Sequence, residues 1–170
     1  MSISALILTF NEEENLPSCL ESLKWCDDIV VFDSLSTDRT VDIAKSAGAR
    51  VVQRSFDDEK NQREASLKIH FKYPWVYNPD ADEITPPELH DEIIEVVSDP
   101  NRKEVAYRVR FKTMFMGRWI RHSSPIQHGW YDCSDLRESH FREILIFNTL
   151  LMARKETSIT ISSTTALTKV

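Results

Sequence analysis

Short apolar runs alternate with helix-like segments along much of the chain, and this alternation restricts the fold more than any other feature. Residues 3–9 are almost continuously apolar, the pattern of a strand buried on both faces. The predicted strands are 3–9, 28–33, 51–52, 75–78 and 105–111. Four segments of helical periodicity separate these strands. The first begins with the glutamates at 12–14, the second begins after Asp38, and the other two are 59–72 and 87–97. This order predicts an α/β fold with a mainly parallel, doubly wound sheet flanked by helices.

Composition narrows the setting in which such a domain would work. The 170 residues suffice for one domain, and no apolar run approaches the ~20 residues of a membrane span. Three cysteines without metal-ligand spacing indicate reduced thiols in a cytoplasmic protein. The net charge of -6 is uneven, with -12 in residues 1–100 and +6 in residues 101–170. The basic second half is compatible with peripheral contact to anionic lipid at the inner membrane face, whereas the overall acidity argues against nucleic acid.

Polar residues follow three of the predicted strands, where a parallel sheet would bring them to one edge. These sets are Thr9 to Glu12, Asp33 with Asp38, and Asp80 with Asp82 and Glu83. Each set alone also fits a helix cap or a turn. Their common edge favours a ligand site, because open α/β sheets bind ligands at the carboxyl ends of their strands. Carboxylates suit Mg²⁺ or Mn²⁺, and the chain has no glycine-rich fingerprint to hold phosphates instead.

Three motifs carry a resemblance to a known family. They are Leu-Thr-Phe-Asn-Glu-Glu-Glu-Asn-Leu at 8–16, Val-Val-Phe-Asp-Ser-Leu-Ser-Thr-Asp at 30–38 and Asn-Pro-Asp-Ala-Asp-Glu at 78–83. Together they resemble the family-2 inverting glycosyltransferases of the GT-A fold, in particular bacterial enzymes that build lipopolysaccharide and other surface glycans. The resemblance covers about residues 3–124. It implies a Rossmann-like, nucleotide-sugar-binding GT-A domain at 1–124.

The resemblance also implies a donor, a metal ion and an acceptor side. The donor would be a nucleotide-diphospho-sugar, first of all a UDP-sugar, with Asp33 addressing the edge of the base. Asp82 would ligate Mg²⁺ or Mn²⁺ at the diphosphate, and Trp119 and Arg121 would lie on the acceptor side. The implied donor-binding residues are Thr9, Asn11, Glu12, Asp33, Asp38, Arg63 and Asp80.

The implied reaction is metal-assisted transfer of the sugar to a saccharide or lipid-linked acceptor in the synthesis of a cell-surface glycan. Two alternatives stay open. One is a catalytically inactive fragment that only binds the nucleotide-sugar. The other is a nucleotidyltransferase, which is less in keeping with the sequence because that class normally has a glycine-rich, basic loop after its first strand. Residues 9–15 are acidic instead.

The resemblance ends near residue 124, where the family places the segment that supplies its general base. That segment commonly reads like Tyr-Pro-Thr-Trp and then Arg-Leu-Phe-Arg-Pro, but residues 125–136 are unrelated to it. Residues 125–137 can be back-translated into codons and read in the frame that starts at the third base of each codon. One product that this frame permits is Tyr-Pro-Thr-Trp-Leu-Val-Arg-Leu-Phe-Arg-Pro-Glu. We therefore expect an atypical tail at 125–170, translated out of frame after a slip near Ser124. The catalytic base is accordingly left unassigned.

Overall fold

The computed structural model describes residues 3–99, residue 101 and the backbone of five later strands. The strands are β1 (Ser4–Thr9), β2 (Ile29–Asp33), β3 (Arg50–Gln53), β4 (Trp75–Tyr77), β5 (Glu83–Ile84), β6 (Ala106–Phe115), β7 (Arg118–Trp119), β8 (Ile144–Asn148), β9 (Ile159–Thr160) and β10 (Ala166–Lys169). The helices are α1 (Leu16–Ser22), α2 (Thr40–Ser46), α3 (Glu59–Ser66) and α4 (Pro87–Ser98).

The sheet is doubly wound about β1. This strand pairs in parallel with β2 on one side and with β4 on the other, and β2 pairs in parallel with β3. Eight of the ten described strands follow the order β3-β2-β1-β4-β8-β6-β10-β5, and β7 and β9 each pair with β6. The direction of winding reverses between β1 and β4, which is where open α/β sheets bind their ligands. The predicted α/β fold with a mainly parallel sheet is confirmed in β1 to β4.

Both faces of these parallel strands are covered, which explains their continuous apolar runs. Along β1, Ala5 and Ile7 belong to a buried cluster with Leu16 of α1 and Ile93 of α4. Leu6 belongs to a second buried cluster, against which α3 packs. Successive strand residues point to opposite faces, so helices on both sides require apolar residues at every position.

Two helices are shorter than their sequence patterns predict. α1 begins at Leu16 instead of at the glutamates, and the backbone N–H groups of Glu12 and Glu13 donate to the side chains of Thr40 and Asp38. α3 ends at Ser66 instead of at residue 72, because the backbone at 70–72 is hydrogen-bonded to side chains beside β2 and in β3. After α3, tertiary hydrogen bonds therefore take the place of further helical ones.

A glycine terminates α2. Gly48 has a φ of 82°, in the left-handed region that favours glycine. Its N–H donates to the carbonyl of Lys45 at 3.0 Å, and the N–H of Ala49 donates to the carbonyl of Ala44 at 3.0 Å. This is the Schellman pattern of helix termination, which satisfies carbonyls left over at the end of the helix.

Three strands come from the expected tail at 125–170. β8 lies between β4 and β6 and runs antiparallel to both. β9 pairs in parallel with β6, and β10 pairs in parallel with β6 and antiparallel with β5. The boundary near residue 124 and the frame slip both stay predictions. Within the described ranges, no helix has the length and hydropathy of a membrane span.

Asp28 ties together the amino edge of the sheet. Its buried carboxylate accepts hydrogen bonds from Ser4 Oγ at 2.6 Å, from the Arg50 guanidinium at 2.9 Å and from the backbone N–H of Lys72 at 2.8 Å. Burial raises the pKa of Asp28, but these hydrogen bonds outweigh that effect and hold the pKa below its ordinary value. The ionised carboxylate therefore joins β1, β3 and the segment that leads into β4.

We expect Asp28→Asn to lower the free energy of unfolding at pH 7 by about 2 kcal/mol, because an amide cannot accept all of these donors. Since the pKa of Asp28 is lowered by folding, its contribution is present above the unfolded pKa and is lost as pH falls through the folded value. In denaturant titrations, the deficit of the variant should therefore shrink below about pH 4.

Asp27→Asn is the matched control, because Asp27 is exposed and pairs with Lys72 at the surface. Exposed ion pairs contribute little, so this variant should unfold close to wild type. Equal losses of stability in the two variants would contradict the role assigned to Asp28.

Candidate functional site

The turn after β4 brings three acids together at the carboxyl edge of the sheet. Carboxylate oxygens of Asp80, Asp82 and Glu83 lie within 4.8 Å of one another. The turn is attached to β1, because Asn78 Nδ2 donates to the carbonyl of Leu6 at 2.7 Å and Asp80 forms a parallel bridge with Leu8. The acids therefore stand at the point between β1 and β4 where the winding of the sheet reverses.

Glu83 holds this acidic turn closed from inside. Its side chain is buried, and Oε2 accepts the backbone N–H of Asp80 at 3.0 Å. The backbone N–H of Glu83 in turn donates to the carbonyl of Asp80 at 3.1 Å. The sequence signal for this arrangement is the Asp-x-x-Glu spacing of a capping box, although here it closes a turn between two strands.

The three carboxylates fit a divalent cation with a preference for oxygen. Mg²⁺ and Mn²⁺ take carboxylate oxygens as ligands, and such a cluster concentrates negative charge that a cation would neutralise. The thiol of Cys19 lies directly behind the turn, where its Sγ contacts the carbonyl of Asp80 at 3.6 Å. Burial first, and then the charges of Glu83, Asp82, Asp80 and Glu12, raise the pKa of Cys19 to about 12.

A cavity of about 480 Å³ adjoins the acidic turn, and Asp80 belongs to both. Two of its wall residues are phenylalanines with unusual exposure, Phe10 at 60% and Phe56 at 58%. Exposed aromatic faces of this kind can stack on a planar ring. The cavity is lined by Leu8, Thr9, Phe10, Ser34, Phe56, Glu59, Gln62, Arg63 and Asp80.

Asp33 lies beneath this cavity, with all of its acceptor positions used inside the protein. One oxygen accepts from Thr9 Oγ1 at 3.0 Å and from Ser36 Oγ, and the other accepts from Ser36 N–H and Gln53 Nε2, both at 2.9 Å. Burial raises the pKa of Asp33, but these donors more than offset it, so the net pKa is lowered. Asp33 is fully buried, and its hydrogen bond with Thr9 fixes one of the residues that line the cavity. Its expected contact with a base stays a prediction.

Asn11 and Asp38 join the loop after β1 to the loop after β2. This loop clasp consists of residues 11–13 and 36–40. The amide oxygen of Asn11 accepts the N–H of Thr37 at 2.9 Å. The Asp38 carboxylate accepts the N–H of Glu13 at 3.1 Å and the N–H of Thr40 at 2.9 Å. Both side chains therefore accept hydrogen bonds from the backbone of the protein itself, and their donor-binding roles stay predictions.

The remaining predicted residues fall into three groups. Glu12 is half-buried and accepts a hydrogen bond from Asn15 at 2.9 Å. Arg63 lines the cavity and pairs with Glu59 at 3.1 Å. On the acceptor side, the backbone of Trp119 lies in β7, and Arg121 falls outside the described residues.

Several cavity residues have no assigned role in the interpretation of the sequence, among them Ser34, Gln62 and Phe56. Ser34 lies inside a motif that carries the resemblance, so its position in a site could be suspected, but its contact with Gln62 could not. Phe56 lies in an irregular segment between β3 and α3, where no periodic pattern marks it. Only the structure shows that the exposed side chain of Phe56 lines the cavity.

A parallel sheet of this order, with a cleft and an acidic turn at its reversal point, defines the GT-A class of α/β domains. The chain belongs to glycosyl transferase family 2, whose family model matches residues 4–167. It is similar to an uncharacterized glycosyltransferase of Rickettsia bellii, with 38% identity over 114 residues, which is 66% of this chain and 38% of the relative.

Two further similarities concern a named enzyme and a solved structure. The lipopolysaccharide core biosynthesis glycosyltransferase LpsC of Rhizobium meliloti is 32% identical over 122 residues, 69% of this chain and 44% of LpsC. S. aureus TarS 1–349 in complex with UDP-GlcNAc superimposes with a TM-score of 0.72 at 19% identity, covering all of this chain and 59% of TarS. At that identity the likeness shows the fold alone. The chain spans about 40% of the length of the curated relatives it matches.

We expect Asp38→Ala to loosen the loop clasp, because the N–H groups of Glu13 and Thr40 lose their acceptor. Backbone amides of residues 11–13 and 36–40 should then exchange with deuterium roughly tenfold faster, measured by peptide-resolved mass spectrometry. Asp42→Ala is the matched control, since Asp42 is exposed on α2. Unchanged exchange in the clasp peptides of Asp38→Ala would show that these hydrogen bonds do not hold the loops.

Proposed function

We propose that this chain binds a nucleotide-diphospho-sugar, a UDP-sugar in particular, together with Mg²⁺ or Mn²⁺. The sugar is transferred to a saccharide or lipid-linked acceptor in the synthesis of a cell-surface glycan of the lipopolysaccharide type. One observation carries this proposal: the cavity and the acidic turn meet at Asp80, at the reversal point of the sheet. A ring in the cavity would thus be continuous with a diphosphate beside the acids.

The two parts of the site suit the two parts of such a ligand. The cavity offers exposed aromatic faces and apolar walls, as a nucleobase requires. The acidic turn would repel a diphosphate by itself, because like charges at this separation oppose each other. A divalent cation held by these acids would offset that repulsion, so the donor and the metal are expected to bind together.

Each predicted residue then has a defined task. Asp82 and Asp80 hold the cation, and Glu83 keeps their turn closed. Arg63 is half-exposed, and its surface pair with Glu59 is weak enough to be exchanged for a phosphate oxygen. Thr9 is fixed by Asp33 at the floor of the cavity. The bound ion supplies Lewis-acid stabilisation of the negative charge that develops on the leaving diphosphate.

The relatives support the substrate class. TarS has been solved with UDP-GlcNAc, and LpsC is named for lipopolysaccharide core biosynthesis. The acceptor-side roles of Trp119 and Arg121, the cytoplasmic location and the contact with the inner membrane face belong to the same proposal.

We expect Asp82→Asn to reduce Mn²⁺-dependent binding of UDP-sugar at least roughly a hundredfold, because an amide is a poor ligand for a hard cation. Calorimetric titration of the full chain with and without Mn²⁺ measures this. Asp91→Asn is the control, since Asp91 is an exposed acid on α4. A donor affinity that is independent of both Mn²⁺ and Asp82 would contradict the assignment.

The released product distinguishes the proposed reaction from its two alternatives. We expect nucleoside diphosphate to accumulate with UDP-sugar and a saccharide acceptor, because the acids and their cation face the diphosphate rather than a single phosphate. Coupled assays for nucleoside diphosphate and for pyrophosphate measure it, with Asp82→Asn as the blank. Donor binding without release would favour a binding protein. Release of pyrophosphate from UTP and a sugar 1-phosphate, offered in a parallel assay, would favour a nucleotidyltransferase.

A further inference from the structure

A second cavity, of about 560 Å³, lies where β3 meets the end of α3. Within the described part of the chain, it shares no lining residue with the cavity beside the acidic turn. Four of its lining residues are basic and none is acidic, although residues 1–100 carry a balance of -12. We call it the basic cavity. It is lined by Phe32, Arg50, Val52, Gln53, Arg54, Ala65, Lys68, Ile69 and His70.

Arg50 is held in the wall of the basic cavity by contacts behind it. Its Nε and Nη2 donate to the buried carboxylate of Asp28 at 3.1 and 2.9 Å, and Nη2 also donates to the carbonyl of His70 at 3.0 Å. Among the described residues, the two N–H groups on Nη1 have no acceptor. A guanidinium that is already oriented, with donors left over, is well suited to a phosphate because little ordering remains to be done.

Lys68 supplies the uncompensated positive charge. Each of the two arginines already shares its charge with a carboxylate. Lys68 is exposed and forms no ion pair within the residues that the structure describes, although Glu64 precedes it by one helical turn. Glu64 lies near Lys60 instead, at 3.8 Å. An anion in the basic cavity would therefore meet one cation that is not neutralised, and the ring of His70 adds a further donor.

Hydrophobic side chains form the floor of the basic cavity. Val52, Ala65 and Ile69 are half-buried and pack on the core cluster that contains Phe32. All four residues line the cavity, so part of their apolar surface is open to a ligand. Burial of apolar ligand surface against this floor would add to the attraction of the cations.

We propose that the basic cavity binds a phosphate ester with an apolar organic part, held at the phosphate by Arg50, Lys68 and His70. The inference does not depend on the proposed donor site. Two sources share this chemistry, the headgroup of an anionic phospholipid and a soluble phosphate ester. Inorganic phosphate should bind more weakly than either, because it leaves the floor unoccupied.

Calorimetric titration of the full chain with phenyl phosphate and with inorganic phosphate measures the site. Metal-free buffer is used, because the acidic turn then repels phosphate and holds no cation through which to bind it. Phenyl phosphate should bind roughly tenfold more tightly than inorganic phosphate.

Lys68→Glu should weaken the binding of both compounds at least roughly tenfold, because it replaces the unpaired cation with an anion. Lys45→Glu is the matched control, since Lys45 is an exposed lysine on α2 that does not line the basic cavity. It changes the net charge equally and should keep the wild-type affinities. An equal loss in both variants would show attraction by net charge alone and would overturn the proposal.

Vesicles of phosphatidylcholine, with and without phosphatidylglycerol, distinguish the two sources. Sedimentation of the chain with phosphatidylglycerol vesicles, lost in Lys68→Glu, would identify a lipid headgroup as the ligand. Binding of phenyl phosphate without sedimentation would identify a soluble ester.

The wild-type measurements alone can contradict the proposal, so the test does not depend on the stability of a variant. Binding of neither phenyl phosphate nor phosphatidylglycerol vesicles to wild type would overturn it. Equal affinities for phenyl phosphate and inorganic phosphate would overturn the role of the apolar floor. None of these outcomes affects the donor site, which is tested separately with UDP-sugar and Mn²⁺.

Discussion

The buried carboxylate of Asp33 holds the carboxyl edge of the sheet in a single arrangement. Its oxygens accept donors from Thr9 at the end of β1, from Gln53 at the end of β3 and from Ser36 in the loop after β2. A charge in a protein interior is tolerated only when donors surround it, so these contacts are maintained together or lost together. The floor of the cavity is therefore fixed before a ligand arrives, which reduces the ordering cost of binding.

Acids at this edge of the sheet have two different physical roles, although the sequence presents them alike. Asp33 and Asp38 are surrounded by internal donors and stabilise the strand ends and the loop clasp. Asp80, Asp82 and Glu83 are gathered by a turn, so their charges add up at one place. Clustered negative charge attracts a cation and repels an anion. In the proposed function this couples the two ligands, because a cation on these acids would offset their repulsion of a diphosphate.

The sequence predicted the parallel sheet and the acidic cluster of Asp80, Asp82 and Glu83 at its carboxyl edge, because both leave local signals. Burial on both faces produces continuous apolar runs, and the carboxyl ends of parallel strands share an edge whatever the loops do. The start of α1 could not be predicted, since the glutamates at 12–14 have the composition of a first helical turn, and no local pattern reports that their N–H groups bond to Asp38 and Thr40. The contact between Ser34 and Gln62 joins positions 28 residues apart, and no periodicity in either segment reports it.

The polarity of a binding site can be set some distance from the ligand. Arginine has no acceptor, so a chain of hydrogen bonds that begins at a guanidinium runs in one direction only. Here the chain starts at Arg54, which follows β3 directly, and passes through a buried amide to the hydroxyl at the cavity wall.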